Sequence, residues 1–316
     1  MDVSIIMINY NTYDFTCDAL ESIFKHTSGV EYEVILIDNK SPDGSGDKLA
    51  EKYGDKIVYI QAGGNLGTSK SFNLGIQKSS GKYVLWLNTD ILIKENFIYK
   101  LFDFMENNLQ CGICGGNILD FNGNPTHSYR KEISSPQTAR KDMSIAVKIF
   151  RKLFKKALSE EYNYSDRVKE VGYITGADMM IRREILDKIG GFDEDIFMYS
   201  EEVEFTYRTK ALTGYTVCNV PWAHIWHLEG ASFNGANKQF NLNRFTLSLQ
   251  GNCVYIKKYF GEKGLRKFLN CKTRAYNKLI TLFAICFKFK KCKEYKAKKA
   301  AVKRIREEKL QGVNFG

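Results

Sequence analysis

Continuous apolar runs, not alternating ones, mark the first third of the chain. Residues 3–9 (VSIIMIN), 33–38 (EVILID), 56–61 (KIVYIQ) and 83–88 (YVLWLN) are short and mostly apolar, with many β-branched positions. Runs of that kind suit strands buried on both faces. Between them, residues 14–26, 45–53 and 69–79 carry helical spacing. The alternation predicts an α/β fold with a doubly wound, mainly parallel sheet. Ligands of such sheets bind outside the carboxyl ends of the strands. Asn9, Asn11, Asp38, Asn39, Asn88 and Asp90 fall there.

The pattern changes near residue 120. Gly123, Pro125 and Pro136 punctuate a polar stretch, and a basic amphipathic helix is expected over residues 139–158. Residues 120–171 therefore read as an insertion over the sheet. A strand-like stretch follows at 172–182, then helices at 183–189 and 200–213, closed by Gly190-Gly191 and Gly214. Residues 217–220 form a further strand. From about Phe240 the chain is helical and increasingly basic.

Composition is that of an ordinary globular protein, with 316 residues, 44% hydrophobic and 26% charged. It excludes disordered and collagen-like classes. Charge changes the picture more. Residues 255–309 hold 19 of the 47 Lys and Arg but only four of the 36 Asp and Glu, so the remainder is mildly acidic. A segment so basic suits an anionic membrane surface or a nucleic acid, and a solvated helix face is the plain alternative. No apolar run reaches the roughly 18 residues of a membrane span; the longest, 279–287, has nine. Eight cysteines follow no export signal, which predicts free thiols in a reducing cytosol. Cys111 and Cys114 have the spacing of a zinc half-site, but no second pair exists to complete one. They are expected as buried strand thiols.

Three segments carry candidate chemistry. Asn88-Thr89-Asp90 ends an apolar strand. A carboxylate there suits Mg²⁺ or Mn²⁺, which share oxygen ligands with a diphosphate; a strand-end Asp also serves turns. Glu201, Glu202 and Glu204 open a helix, either as acids favourable in a first turn or as a source of a general base. His227 follows a strand and precedes a glycine-containing loop.

In order along the chain stand Asp38-Asn39-X-Ser41, Asn65-X-Gly67 with Asn73-X-Gly75, Asn88-X-Asp90, Gly190-Gly-Phe-Asp193, Glu201-Glu202 and His227-X-X-Gly230-X-Ser232. Over about residues 2–233 this series resembles the family 2 inverting glycosyltransferases of GT-A fold, especially their bacterial rhamnosyltransferase-like branch. The resemblance implies a nucleotide pocket lined by Asn9 and Asn11, with Asp38 reading the base or ribose. Asn65, Gly67 and Asn73 match the loop and helix start beside the nucleotide. Asp90 matches the last carboxylate of the metal motif, His227 a histidine completing the metal and diphosphate site, and Glu201-Glu202 the catalytic pair. The chain departs from the family in two places. Asn88 stands where the metal motif has its first acid. Glu-Glu replaces Glu-Asp, which leaves either residue open as the base; position favours Glu202, with Glu201 close behind.

The implied reaction is inverting, metal-dependent transfer of a sugar from dTDP-rhamnose or a UDP-sugar to a glycan or lipid-linked glycan acceptor in surface polysaccharide synthesis. The catalytic domain is expected over residues 1–239, with the 120–171 insertion on the acceptor side and a helical basic extension over 240–316. The expected location is cytoplasmic, peripheral on the inner face of the cell membrane, with the extension meeting anionic lipid. Self-association is left open. Two other functions compete. A sugar nucleotidyltransferase would need a Gly-, Lys- or Arg-containing phosphate loop after the first strand, and residues 9–14 have none. A nucleic-acid binder would need a stacking platform, which the basic segment lacks; no nucleic acid is expected as partner.

Overall fold

A computed structural model describes residues 1–133, 135–138, 161–228 and 240–310. The expected helix at 139–158 and the motif residues Gly230 and Ser232 lie outside the described residues. The described residues fall into two compact units. One takes its members from Met1–Glu132, Leu158–Glu194 and Glu201–Ala236; the other from Ile133–Ala157, Asp195–Ser200 and Asn237–Gly316.

The first unit is built on one mixed sheet. Its strands are β1 (Val3–Asn9), β2 (Tyr32–Asp38), β3 (Val58–Gln61), β4 (Tyr83–Leu87), β5 (Ile91–Leu92), β6 (Cys111–Leu119), β8 (Lys169–Glu170), β10 (Asp178–Arg182) and β11 (Thr216–His227). β7 (Tyr129–Arg130) and β9 (Tyr173–Ile174) pair separately. The order is β3-β2-β1-β4-β10-β6-β11-β5, with β8 also on β11. β1 to β4 are mutually parallel, as the sequence predicts. β10 runs antiparallel between β4 and β6, and β5 and β8 run antiparallel to β11. The sheet is therefore mixed in its second half.

β1 shows why the strand runs are continuous. Val3, Ile5 and Met7 face a cluster containing Leu20 and Ile23 of α1 (Tyr13–His26). Ile6 faces the other side, against Phe72 of α3 (Gly67–Lys78). With helices on both faces most positions are apolar, the buried Ser4 and Asn9 having hydrogen-bond partners, and each fully buried large apolar side chain stabilises the fold by roughly 1.5–3 kcal/mol. α2 (Ser45–Tyr53) and α4 (Phe97–Asn107) add to the same face as α1, and α5 (Arg183–Ile189) to the face of α3. α6 (Glu201–Thr213) buries Phe205, stacked on Phe192 at 4.7 Å between ring centres. Cys111 and Cys114 are buried free thiols of β6, as expected.

The second unit holds α7 (Leu242–Ile285), interrupted at Gly261 where φ is 64°, and α8 (Phe289–Leu310). The two helices form a hairpin. Tyr295 meets Tyr276 and Phe283, and Arg306 reaches Asn270. Leu265, Leu269, Val302 and Ile305 are buried. Among the described residues no helix is long and apolar enough to cross a membrane.

Candidate functional site

Register brings the first candidates together. Asn9 ends β1 directly opposite Asp38 at the end of β2. The buried Asn9 amide donates to Asp38 Oδ1 at 2.7 Å and to Ser45 Oγ at 2.9 Å, while its carbonyl oxygen accepts from Thr12 at 2.8 Å and Thr16 at 3.0 Å. Asp38 is almost wholly buried and also accepts from the Ser41 backbone N–H at 2.9 Å. Gly46, in the first turn of α2, leaves room for that carboxylate: a Cβ there would stand 2.3 Å from Asp38 Cγ. Asn11 is exposed with φ 56°, and its N–H donates to Ser41 Oγ. Asn65 is exposed and accepts from the N–H of Gly67, whose φ of 75° at the start of α3 suits glycine. Thr12 continues the network to Thr89, hydroxyl to hydroxyl at 3.2 Å. A chain of polar contacts thus runs from Asp38 through Asn9 and Thr12 to the residue before Asp90.

Asp90 and His227 meet by a second register. β11 pairs antiparallel with β5, His227 opposite Ile91, and the Leu228 N–H donates to the Asp90 carbonyl. His227 Nε2 lies 3.0 Å from Asp90 Oδ1, and both side chains are largely buried. The Asn88 carbonyl accepts from Trp86 Nε1 at 3.2 Å, which turns the Asn88 NH₂ towards His227 Nε2 at 3.4 Å. Asn88 donates to Nε2 only when that nitrogen carries no proton. With a proton between them, imidazole and carboxylate form a hydrogen bond. Without it, two lone-pair donors face one another and favour a shared cation. An oxygen and a nitrogen donor at this spacing fit adjacent corners around Mg²⁺ or Mn²⁺, which take few protein ligands and fill the remainder with phosphate and water. Among the described residues no group of three His, Cys, Asp or Glu gathers for a metal.

The three glutamates of α6 have separate environments. Glu204 is fully buried and bound at both oxygens by Arg208, at 2.8 and 3.1 Å. Arg208 also donates to the carbonyls of Ile189 and Gly191, so this pair is structural cement. Glu201 is buried with Oε2 lacking a hydrogen-bond partner among the described residues. Burial first, then the neighbouring Glu202 charge, push its carboxyl well above the usual range, against a hydrogen bond from Thr68. Glu202 is half-buried. Tyr199 and Ser200, just before α6, carry positive φ of 66° and 84°.

Asn73 is engaged away from the strand ends. Its amide donates to the Phe192 carbonyl at 2.9 Å and to Glu194 at 3.0 Å, and its Oδ1 accepts from the Phe192 N–H at 2.8 Å. It clamps the Gly190-Gly-Phe-Asp193 loop to α3. Sequence reasoning missed the hydroxyl residues that link the site, Thr12, Thr16, Ser45 and Thr89. Their types fit helix caps and turns equally well, so only strand register distinguishes them.

The profile of the family described as "Glycosyl transferase family 2" matches residues 4–190. The chain is 30% identical to the low-salt glycan biosynthesis hexosyltransferase Agl10 of Haloferax volcanii, over 66% of this chain and 62% of that protein. It is 27% identical to an N-acetylglucosaminyl-diphospho-decaprenol L-rhamnosyltransferase of Mycobacterium tuberculosis, over 63% of this chain and 67% of that one. Against the poly(ribitol-phosphate) beta-glucosyltransferase of Bacillus spizizenii it is 28% identical, but spans only 26% of that protein's length. The fold is that of the Mn²⁺-containing mannosyltransferase PcManGT of Pyrobaculum calidifontis, solved with GDP-Man (TM-score 0.55, 14% identity, 99% of this chain and 88% of that one). It is likewise that of GalNAc-T7, solved with UDP, GalNAc and Mn²⁺ (TM-score 0.57, 16% identity, 83% of this chain and 51% of that one). With the profile covering more than half of its residues, on a sheet of the GT-A kind, the chain belongs to glycosyl transferase family 2.

Proposed function

We propose that this protein transfers a hexosyl unit from a nucleoside-diphosphate sugar to a hydroxyl of a glycan or lipid-linked glycan, with inversion and with a divalent metal. The observation that carries the reading is Asp90 Oδ1 held 3.0 Å from His227 Nε2 at the strand ends of a family 2 chain. The network of Asn9, Asn11, Asp38, Asn65 and Gly67 lies along neighbouring strand ends and is assigned to the nucleotide. The catalytic domain is assigned to residues 1–239 and the basic extension to 240–316. Relatives named for rhamnosyl and hexosyl transfer make dTDP-rhamnose or a UDP-sugar the first donors to test, in surface polysaccharide synthesis.

The chemistry asks little of the chain. The acceptor oxygen attacks the anomeric carbon, the bond to the diphosphate oxygen breaks on the opposite face, and the acceptor proton passes to a carboxylate. Glu202 is assigned as that base. It stands at the helix N-terminus and keeps access that Glu201 lacks, while Glu204 is consumed by Arg208. A positioned base contributes roughly 10²–10⁴-fold. Asp90 and His227 are assigned to hold Mg²⁺ or Mn²⁺, with Asn88 beside them. When bound, the ion offsets negative charge gathering on the departing diphosphate.

The acceptor is assigned to the cytoplasmic face of the cell membrane, where the basic extension meets anionic lipid. The decisive experiment supplies nucleotide sugars with Mn²⁺ or Mg²⁺ and follows release of nucleoside diphosphate and the anomeric configuration of the product. Release accelerated by a glycan acceptor, with inverted product, is expected. Conversion of the nucleotide sugar with added pyrophosphate into nucleoside triphosphate and sugar 1-phosphate, with no nucleoside diphosphate released to an acceptor, would identify a nucleotidyltransferase instead.

A further inference from the structure

The turn between α7 and α8 carries an unusual residue. α7 ends in a Schellman-type cap: the Lys288 N–H donates to the Phe283 carbonyl at 2.8 Å and the Phe287 N–H to the Ala284 carbonyl at 3.1 Å. The residue closing such a cap adopts the left-handed conformation and is usually glycine. Here it is Phe287, with φ 52°. Its side chain gains no burial in return, being 80% exposed. Ile285 and Phe289 beside it are 70% and 63% exposed, and the two phenylalanine rings pack edge to face at 6.3 Å. Backbone strain held at an exposed apolar side chain is an arrangement that folding alone does not favour.

The surrounding charge says what the tip meets. Lys288, Lys290, Lys291 and Lys293 are all exposed, and Glu294 is the acidic residue nearest in sequence, paired with Lys291 and Lys298. An apolar tip collared by lysines matches a lipid interface, where the rings enter the acyl boundary and the ammonium groups stay among phosphates. Nucleic acid fits less well: Ile285 offers no stacking surface, and the two rings spend part of theirs on each other. The remainder of the apolar run does not belong to this surface. Leu279 is buried, and Phe283 stacks on Tyr295 inside the hairpin. The lipid-facing surface is therefore narrower than the nine-residue apolar run 279–287.

We infer that the α7–α8 turn is a membrane wedge, in which Ile285, Phe287 and Phe289 insert into an anionic bilayer held by the lysine collar. The inference rests on the reading that the basic extension faces lipid, and it is independent of whether sugar transfer occurs. The test is co-sedimentation of the full chain with phosphatidylcholine vesicles and with equimolar phosphatidylcholine–phosphatidylglycerol vesicles, beside the variants F287G, F289S and K288E/K290E/K291E. Wild type should sediment with the anionic vesicles only. F287G and F289S should each bind about tenfold more weakly, and the lysine variant about a hundredfold more weakly at low salt. F287G relieves the strained turn, so its melting temperature should equal or exceed that of wild type, which separates lost insertion from lost folding. The inference is overturned if wild type ignores anionic vesicles, if F287G and F289S bind as wild type does so that charge alone suffices, or if the phenylalanines prove to mediate self-association without vesicle binding. Release of nucleoside diphosphate towards a soluble acceptor should be the same in F287G and wild type. Its absence from both would count against the transferase reading and leave the vesicle result intact.

Discussion

Glu201 and Glu202 are sequence neighbours with opposite surroundings, and that contrast makes their roles separable. Burial raises the Glu201 carboxyl, so the folded state favours its neutral form. Such a group contributes stability fully below its unfolded pKa, and the contribution is lost as pH rises through the higher folded value. Glu201→Gln keeps a neutral side chain of the same shape. Its melting temperature should therefore resist the decline that wild type shows as pH climbs from the ordinary carboxylate range; parallel declines would mean that Glu201 ionises without cost. Glu202→Gln should instead leave donor affinity intact and lower kcat by about a hundredfold or more, as loss of a general base does. Calorimetry with the donor and single-turnover transfer read the two quantities separately, and loss below tenfold moves the base elsewhere. Asp90→Ala should lower turnover by at least two orders of magnitude, about 3 kcal/mol of transition-state stabilisation. A folded Asp90→Ala protein with near-normal turnover in EDTA sinks the metal assignment.

Among the elements, Asn73 shows how a motif residue is claimed by the fold. Three hydrogen bonds tie it to the Phe192–Glu194 segment, and Gly191 packs so closely that a Cβ would stand 2.3 Å from Asn73 Oδ1. Asn73→Ala orphans the Phe192 N–H and should cost roughly 1–3 kcal/mol of stability, with donor affinity little changed; denaturant melts beside donor titration check it, and a large loss of affinity at unchanged stability returns Asn73 to the nucleotide. The strands were legible for a physical reason. β1, β2 and β4 are covered on both faces, so burial leaves a nearly continuous apolar record, broken only at Ser4 and Glu33 before the strand ends, and those ends point to Asn9, Asp38 and Asp90. β11 was read only at residues 217–220 but runs from Thr216 to His227, because Pro221 and the polar residues at its far end break the apolar run where the register with β6 shifts. The antiparallel place of β10 leaves no mark in a local pattern, since strand direction is decided by connections and not by side chains. The meeting of Asp90 with His227 has the same origin: the two are far apart in sequence, and pairing of β11 with β5 joins them.

For the whole molecule, charge is divided so that catalysis and location become separate problems. The basic excess sits in residues 255–309 and the remainder is mildly acidic, so the proposed attraction to an anionic surface is assigned to the hairpin. On the proposed reading, a lipid-linked acceptor in the same bilayer would meet an enzyme confined beside it, and confinement raises effective concentration without adding a contact to the acceptor. The consequence is kinetic and specific. With a lipid-linked acceptor in vesicles, the apparent KM for acceptor should fall as the phosphatidylglycerol fraction rises, while kcat and the KM for the nucleotide sugar stay constant. Salt should reverse the gain, because the Debye length contracts from about 10 Å at 0.1 M to about 3 Å at 1 M and weakens each lysine's attraction to lipid phosphate. A short water-soluble acceptor should show neither dependence. If anionic lipid instead raises kcat with both acceptors, the bilayer acts on the catalytic site itself, and simple confinement by the basic hairpin is the wrong account.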